Sequence, residues 1–184
     1  MPRTSSSTPR LRAAPLSPPL HVVLVEPEIP PNTGNVARLC AATASPLHLV
    51  GRLGFRIDEQ SVRRAGVDYW HLVDLRQHID FEHFLHAWGK GGSGPAPATP
   101  ARLHLFSATA TRSYLDAGFA SGDALVFGRE SVGLPDELLA RFADHVVGIP
   151  TLGKVRSLNL ANAVGIALFE ALRALRALDA TFTG

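Results

Sequence analysis

The chain has little cysteine, no long apolar run and little charge. Its single cysteine, Cys40, excludes an internal disulfide, and no Cys/His spacing resembles a zinc site, which indicates a reducing cytoplasm. No stretch reaches the roughly 18 apolar residues of a membrane span. The start, where Arg3, Arg10 and Arg12 stand among Ser and Pro, lacks the apolar segment of a signal peptide. We therefore expect a soluble cytoplasmic protein without membrane association or a bound metal.

Composition suggests one domain and leaves the partner open. A length of 184 residues with 46% hydrophobic content fits a single α/β domain with a sizeable core, and 18% charged residues is low for a protein in water. The formal net charge of +2 permits a nucleic-acid partner but does not argue for one, because clustering of Lys and Arg matters more than their total.

Strands and helices are expected to alternate along most of the chain. Residues 1–19 are rich in Ser, Pro and Arg and are predicted to be a disordered tail, and 20–184 one folded domain. The apolar run 21–25 predicts a strand buried on both faces, and Asn32 or Thr33 is expected to cap a helix that ends before Pro46. Further strands are predicted at 47–51, 69–73, 103–107, 124–127 and 145–149, and helices at 59–64, 81–88 and 135–142. This order predicts an α/β fold, a mostly parallel sheet with helices on both faces, with 89–100 as a surface loop.

A closing helix from Asn159 carries two apolar faces. One stripe recurs at three- and four-residue spacing and consists of Leu160, Ala163, Val164, Ala167, Leu168, Ala171, Leu172, Leu175 and Leu178. Ile166 and Phe169 lie off that stripe, so their face needs its own cover. That cover is either the rest of the chain or a partner subunit, and the end of a short chain favours the partner. We therefore predict a homodimer whose interface includes 159–178.

Two loops at the ends of apolar runs predict a ligand cup. The first loop is 128–135, which contains Gly128 and Gly133, and the second runs from 149 through Ser157 and Asn159 into the closing helix. Glycines let the backbone approach a bound molecule, and a polar helix start directs N–H groups into the same space. The alternative is an ordinary strand-to-helix turn with plain helix caps, and capping and ligand contact can share the same atoms.

Four segments together carry a family resemblance: 27–40, 63–69, 127–135 and 156–160. In this order they resemble the SPOUT superfamily of RNA methyltransferases and, within it, the TrmL family of small tRNA (cytidine/uridine-34) 2′-O-methyltransferases. The similarity covers about 21–178. It implies an α/β fold with a trefoil knot near the C-terminus, S-adenosyl-L-methionine bound in the knot, a homodimer, and the anticodon stem-loop of tRNA as the substrate.

The resemblance also implies site residues, position by position. The cofactor-binding residues it implies are Phe106, Gly128, Glu130, Gly133, Ile149, Ser157 and Leu158. The RNA-binding residues are Asn32, Asn35, Arg38, Arg63, Arg64, Arg112 and Arg156. Phe106 and Phe169 depart from the family pattern, where an aliphatic residue and Tyr are common. A family Lys after the fourth strand is missing, so its contact is lost or moved to Arg112.

The resemblance implies that Arg38 is catalytic, and we predict that Ser157 and Asn159 take part in catalysis with it. A guanidinium stays protonated, so Arg38 is better suited to hold a phosphate and stabilise a developing alkoxide than to act as a base. Its alternative is a solvated surface charge. We expect 2′-O-methylation of the wobble nucleotide of tRNA; the alternatives are another tRNA or rRNA position, or a non-catalytic RNA-binding protein of the same fold.

Overall fold

The computed structural model describes residues 10–55, 70–89 and 102–183. In these residues the chain forms eight strands: β1 Leu11–Ala13, β2 His21–Val25, β3 Leu47–Val50, β4 Leu75–His78, β5 Leu103–Phe106, β6 Ala124–Phe127, β7 Val146–Val147 and β8 Thr181–Thr183. The helices are α1 Pro30–Thr43, α2 Phe81–Gly89, α3 Asp136–Arg141 and α4 Leu160–Ala174. Six strands form one sheet in the order β4-β3-β2-β6-β5-β7, all neighbours parallel.

The predicted α/β class with a parallel sheet is confirmed. Strands β2, β3, β5 and β6 are almost wholly buried, as their mostly apolar sequences predict for a sheet covered on both faces. Val22 and Leu24 of β2 pack in one cluster with α1 and α4. Val23 and Val25 point to the other face, where α2 and α3 contribute a second cluster. Each face of the sheet therefore has its own hydrophobic core.

Several predicted boundaries differ from the structure. Residues 70–72 of the predicted strand 69–73 form a 3₁₀ turn, and the strand lies later at Leu75–His78. The predicted strand 145–149 shortens to two residues because its flanks enter turns, and the closing helix ends at Ala174 rather than at 178. The predicted helix 59–64 and most of the loop 89–100 lie outside the described residues.

The two ends of the chain meet in a separate ribbon. β1 pairs with β8 in antiparallel fashion, where the sequence predicts no regular structure for residues 11–13. Apolar pattern alone does not reveal this strand, because its partner lies some 170 positions away in the chain. Leu16 and Leu20 pack against the core, so the segment before β2 is attached to the domain.

The sheet brings four loops to one edge. Since β2, β5, β6 and β7 are parallel, their carboxyl ends open on the same side, and the segments 26–29, 107–113, 128–135 and 148–159 leave the sheet there. Ligands of parallel α/β sheets bind in the crevice at this edge. The fold therefore places both predicted ligand loops beside each other.

Candidate functional site

A cavity of about 760 Å³ lies at the carboxyl edge of the sheet. Its lining contains all seven residues predicted to bind the cofactor: Phe106, Gly128, Glu130, Gly133, Ile149, Ser157 and Leu158. Asn32, Arg156 and Asn159 also line it, from the start of α1 and the segment before α4. Residues from five separate parts of the chain thus converge on one space, of the size usual for small-molecule sites.

Two aromatic rings form an apolar wall of the cavity. Phe106, at the end of β5, stacks on Phe127, at the end of β6, with ring centroids 4.6 Å apart and planes 13° from parallel. Tyr114 meets Phe106 edge-on at 6.3 Å. The departure at Phe106 is therefore accommodated by a paired aromatic neighbour, and both rings contribute apolar surface to the lining.

The loop after β6 is a tight hairpin that depends on its two glycines. Arg129 and Gly133 exchange main-chain hydrogen bonds of 3.1 and 2.9 Å, and Gly133 has a positive φ of 79°. A Cβ on Gly128 would lie 2.1 Å from the carbonyl carbon of Gly133. Gly128 is therefore required for closure of its own loop, which agrees with the alternative that the sequence left open, an ordinary turn between strand and helix.

Glu130 joins this hairpin to the loop between β2 and α1. Its carboxylate accepts hydrogen bonds from the main-chain N–H of Glu28 at 2.9 Å and of Ile29 at 3.2 Å, and from Nδ2 of Asn32 at 2.9 Å. Charge-assisted bonds of this kind are stronger than neutral ones. Although Glu130 lines the cavity, its carboxylate is already hydrogen-bonded to the loop between β2 and α1. A contact between Glu130 and the cofactor therefore stays a prediction.

Two further links between the same loops were not foreseen from the sequence. The carboxylate of Glu28 accepts a hydrogen bond from the N–H of Ser131 at 3.1 Å, and Arg129 forms an ion pair with Glu26. Glu28 lies within the segment 27–40 that carries the family resemblance, and Glu26 directly precedes it. Their spacing alone does not reveal partners about a hundred positions away.

Asn32 and Asn159 connect the first helix to the last. Nδ2 of Asn159 donates to Oδ1 of Asn32 at 3.0 Å, while Oδ1 of Asn159 accepts from the N–H groups of Ala161 and Asn162 and caps α4. Asn32 is buried. Both amides are thus committed to protein partners, and their predicted roles in RNA binding and catalysis stay predictions.

The cavity also offers main-chain groups for a ligand. In the described part of the chain, the N–H and C=O of Ile149 and of Leu158 have no hydrogen-bond partner. Ser157, beside Leu158, is exposed. A ligand in the cavity therefore meets main-chain donors and acceptors in the lining that no other part of the described chain uses.

The predicted RNA-binding residues occupy different places. Asn35 and Arg38 are exposed on α1 and lie outside the cavity lining, whereas Arg156 is exposed at its rim. The guanidinium of Arg112 donates to the carbonyl oxygens of Asp144 and Asp116, at 3.1 and 2.8 Å. Arg63 and Arg64 lie outside the described residues.

Two features of other site classes are missing from the described ranges 10–55, 70–89 and 102–183. No group of three or more His, Cys, Asp or Glu side chains there could hold a metal ion. Of the helices in those ranges, none has both the length and the apolar character to cross a membrane.

The fold and the cavity define an α/β protein with a ligand site at the carboxyl edge of a parallel sheet. Residues 19–169 match the SpoU rRNA Methylase family. The match covers most of the chain, and the chain belongs to this family. The predicted resemblance to RNA methyltransferases is therefore confirmed.

Individual relatives are similar over nearly their full length. A putative tRNA (cytidine(34)-2′-O)-methyltransferase of Synechocystis is 46% identical over 159 residues, which are 85% of this chain and 97% of the relative. A tRNA (cytidine(34)-2′-O)-methyltransferase of Burkholderia cenocepacia is also 46% identical, over 83% of this chain and 94% of the relative.

Solved structures share the fold. One, described as giving insights into the 2-OH methylation of C/U34 on tRNA, has 51% identity and a TM-score of 0.75, covering 85% of this chain and 96% of that one. An AdoMet-bound rRNA methyltransferase of Sinorhizobium meliloti has 29% identity and a TM-score of 0.68, covering 89% and 62%.

Proposed function

We propose that this protein transfers a methyl group from S-adenosyl-L-methionine to the ribose 2′-oxygen of nucleotide 34, cytidine or uridine, in tRNA. The observation that carries the proposal is the single cavity that unites the seven predicted cofactor residues. Relatives named for this reaction at position 34 match the chain over most of its length, which supports the choice of substrate.

The cavity fits the cofactor in size and in chemistry. The stacked pair Phe106 and Phe127 adds apolar surface to the lining, and the main-chain groups of Ile149 and Leu158 offer both donors and acceptors for a purine edge. When bound, the cofactor supplies an electrophilic methyl group on a sulfonium. The neighbour from Sinorhizobium meliloti is AdoMet-bound, which supports this assignment.

The protein's part in the reaction is positioning and charge. A bond forms between the 2′-oxygen and the methyl carbon as the carbon–sulfur bond breaks, and the hydroxyl proton passes to solvent. We propose that Arg38 grips a neighbouring phosphate and stabilises negative charge that develops on the 2′-oxygen. Ser157 and the capped start of α4 are proposed to hold the ribose at the cavity mouth.

A homodimer and a knot complete the proposal. Ile166 and Phe169 are 41% and 47% exposed on α4, although Val164 and Leu168 of the apolar stripe are fully buried within the chain. This second apolar face supports a partner subunit as its cover. After the edge strand β7, the chain crosses back over the sheet, and α4 packs on α1 and β6. This path is compatible with the trefoil knot that the family resemblance implies. The cytoplasmic location stays a prediction.

The experiment is methylation of a defined RNA. Purified protein, S-adenosyl-L-methionine and an unmodified tRNA transcript with cytidine at position 34 should give one added methyl group, located at the 2′-oxygen by nuclease mapping and mass spectrometry. A transcript with a 2′-deoxyribose at position 34 is the matched control and should accept none. If the methyl group is found at another tRNA position, or only on an rRNA fragment, the alternative substrate is correct: another tRNA or rRNA nucleotide that is methylated by a protein of the same family.

A further inference from the structure

The ribbon of β1 and β8 lies outside the part of the chain that matches the family. The match covers residues 19–169, whereas β1 is Leu11–Ala13 and β8 is Thr181–Thr183. The residues that form the cavity are all within the matched part. The ribbon thus lies outside the matched residues and contributes none of the residues that line the cavity.

One face of the ribbon places a cation beside an aromatic ring. In the antiparallel register Arg12 stands directly opposite Phe182. Side chains of such a pair leave the same face, with Cβ atoms about 5 Å apart. Both are exposed, Phe182 by 55%. Leu11 and Ala13 point to the opposite face, since side chains alternate along a strand.

Among the residues that the structure describes, the guanidinium of Arg12 has no partner, unlike the guanidinium groups of Arg173 and Arg176 near the end of α4. Arg173 is held by Glu170 and Arg176 by Asp179, each at 2.7 Å. No hydrogen bond or ion pair joins Arg12 to any residue within 10–55, 70–89 or 102–183. Arg3, Arg10 and Arg12 precede the first acidic residue, Glu26, so the segment is purely cationic.

We propose that the Arg12–Phe182 face is a docking site for the RNA substrate, away from the nucleotide that is methylated. An exposed ring on which an unpaired base stacks, beside a cation that meets the phosphate, is the arrangement that proteins use for single-stranded RNA. The inference rests on the proposed function for the identity of that RNA.

The position of the ribbon determines which part of the RNA it meets. α4 begins beside the cavity at Asn159 and runs for 15 residues, about 22 Å, before the chain turns into β8. β1 leads into the amino end of β2, and β8 follows the end of α4 that is remote from its start beside the cavity, so both strands of the ribbon connect to the side of the domain away from the cavity. The ribbon contributes to affinity for the RNA and not to the methyl-transfer step.

Binding of a tRNA transcript by Arg12→Gln and Phe182→Ala, measured by fluorescence anisotropy over a range of salt concentrations, tests the proposal. Arg12→Gln should reduce the slope of log affinity against log salt by about 0.7 to 0.9, the value for one phosphate contact. Phe182→Ala should weaken binding about five- to tenfold with little change of slope, and Phe182→Trp should restore it. Both variants should raise KM for RNA and leave kcat unchanged.

Two controls separate this contact from general effects. Leu11→Ala shortens an exposed side chain on the opposite face of the ribbon, and Arg141→Gln removes a cation that is already paired with Glu82. Both should bind RNA like the wild type. Variants of Arg12 and Phe182 that bind like these controls would overturn the proposal, as would a change in subunit association without a change in RNA binding. If the wild type binds tRNA but does not methylate it, the proposed function fails instead.

Discussion

The side chain of Asn159 donates a hydrogen bond of 3.0 Å to that of Asn32, across 127 positions of the chain. Asn159 caps α4, and Asn32 lies in the first turn of α1 and also donates to Glu130. A continuous series of hydrogen bonds therefore joins the starts of both helices to the hairpin after β6. These hydrogen bonds set the shape of the cavity before any ligand binds.

Replacing the carboxylate of Glu130 should loosen this junction. Glu130→Gln keeps the shape but turns one acceptor oxygen into an NH₂ group that faces the donors from Glu28, Ile29 and Asn32. We expect a loss of about 1–3 kcal/mol in the free energy of unfolding, measured with urea, and weaker cofactor binding by calorimetry. Glu137→Gln, on the exposed first turn of α3, is the control and should change neither. Equal stability of both variants would show that the three hydrogen bonds contribute nothing.

Gly128→Ala should damage the hairpin itself. The new Cβ would meet main-chain atoms of Gly133 and Leu134 at 2.1–2.2 Å, and backbone cannot move aside as a flexible side chain can. We expect lost cofactor binding together with a lower midpoint of thermal unfolding. Gly34→Ala is the contrast, because nothing lies within 4 Å of its Cβ, and it should stabilise α1 by about 0.5–1 kcal/mol. A stable Gly128→Ala protein that binds the cofactor normally would contradict the role given to this glycine.

Arg38→Ala should abolish methyl transfer without weakening cofactor binding. Arg38 is exposed on α1 and outside the cavity lining, so affinity for S-adenosyl-L-methionine should stay near the wild-type value. Loss of one preorganised charge at a developing oxyanion typically lowers the rate about 10²- to 10³-fold. Arg38→Lys keeps the charge but not the planar fork and should recover part of the rate. Single-turnover methylation of an anticodon stem-loop measures both; a rate for Arg38→Ala within a few-fold of wild type would leave Arg38 as a surface charge.

The apolar face of α4 should control subunit association. Phe169→Asp introduces a charge on the exposed face, where it should split a dimer without disturbing the core. Leu168 is fully buried in its own chain, so Leu168→Asp should unfold the protein instead. Sedimentation and circular dichroism distinguish the two outcomes. A wild type that sediments as a monomer at micromolar concentration would remove the dimer from the proposal.

Three hydrogen-bonded histidines should make stability fall in acid. His48 is hydrogen-bonded to His21 and to His78, at 2.9 Å each. Burial, aided by the positive charge of Arg76, lowers the pKa of His21 from 6.5 to about 4, and burial also lowers those of His48 and His78. At a pH between the ordinary histidine pKa of 6.5 and the lowered pKa in the folded protein, the unfolded chain binds protons that the folded chain does not. The stability that is present above pH 6.5 is therefore lost as the pH falls.

Urea unfolding at several pH values measures this effect. Between pH 6.5 and about 4 the lowered pKa of His21 alone should decrease the free energy of unfolding by about 1.4 kcal/mol per pH unit, and the lowered pKa values of His48 and His78 act in the same direction. His48→Leu removes the middle one of the three hydrogen-bonded histidines and should make the free energy of unfolding less dependent on pH. His86→Ala changes an exposed histidine and should leave that dependence unchanged. An unchanged slope in His48→Leu would assign the acid sensitivity to other groups.

The elements and the ligand loops could be predicted because their signals are local. The apolar runs of β2, β3, β5 and β6 appear within four or five residues, and Asn159 marks the start of α4 by its capping chemistry. The prediction was wrong where structure depends on distant contacts. The strand at Leu75–His78 carries polar residues and is defined by its pairing with β3, and β1 exists only through β8.

The sequence by itself determined the α/β class, the place of the cavity-forming loops and the membership of the SpoU family, since these follow from hydrophobic period and from residues close together in the chain. Tertiary structure alone decided what the polar residues do. Glu130 binds the β2–α1 loop, Arg112 binds carbonyl oxygens, and Arg12 faces Phe182. Hydrogen bonds and ion pairs form only between groups that folding brings within about 3 Å, and that distance is not contained in sequence spacing.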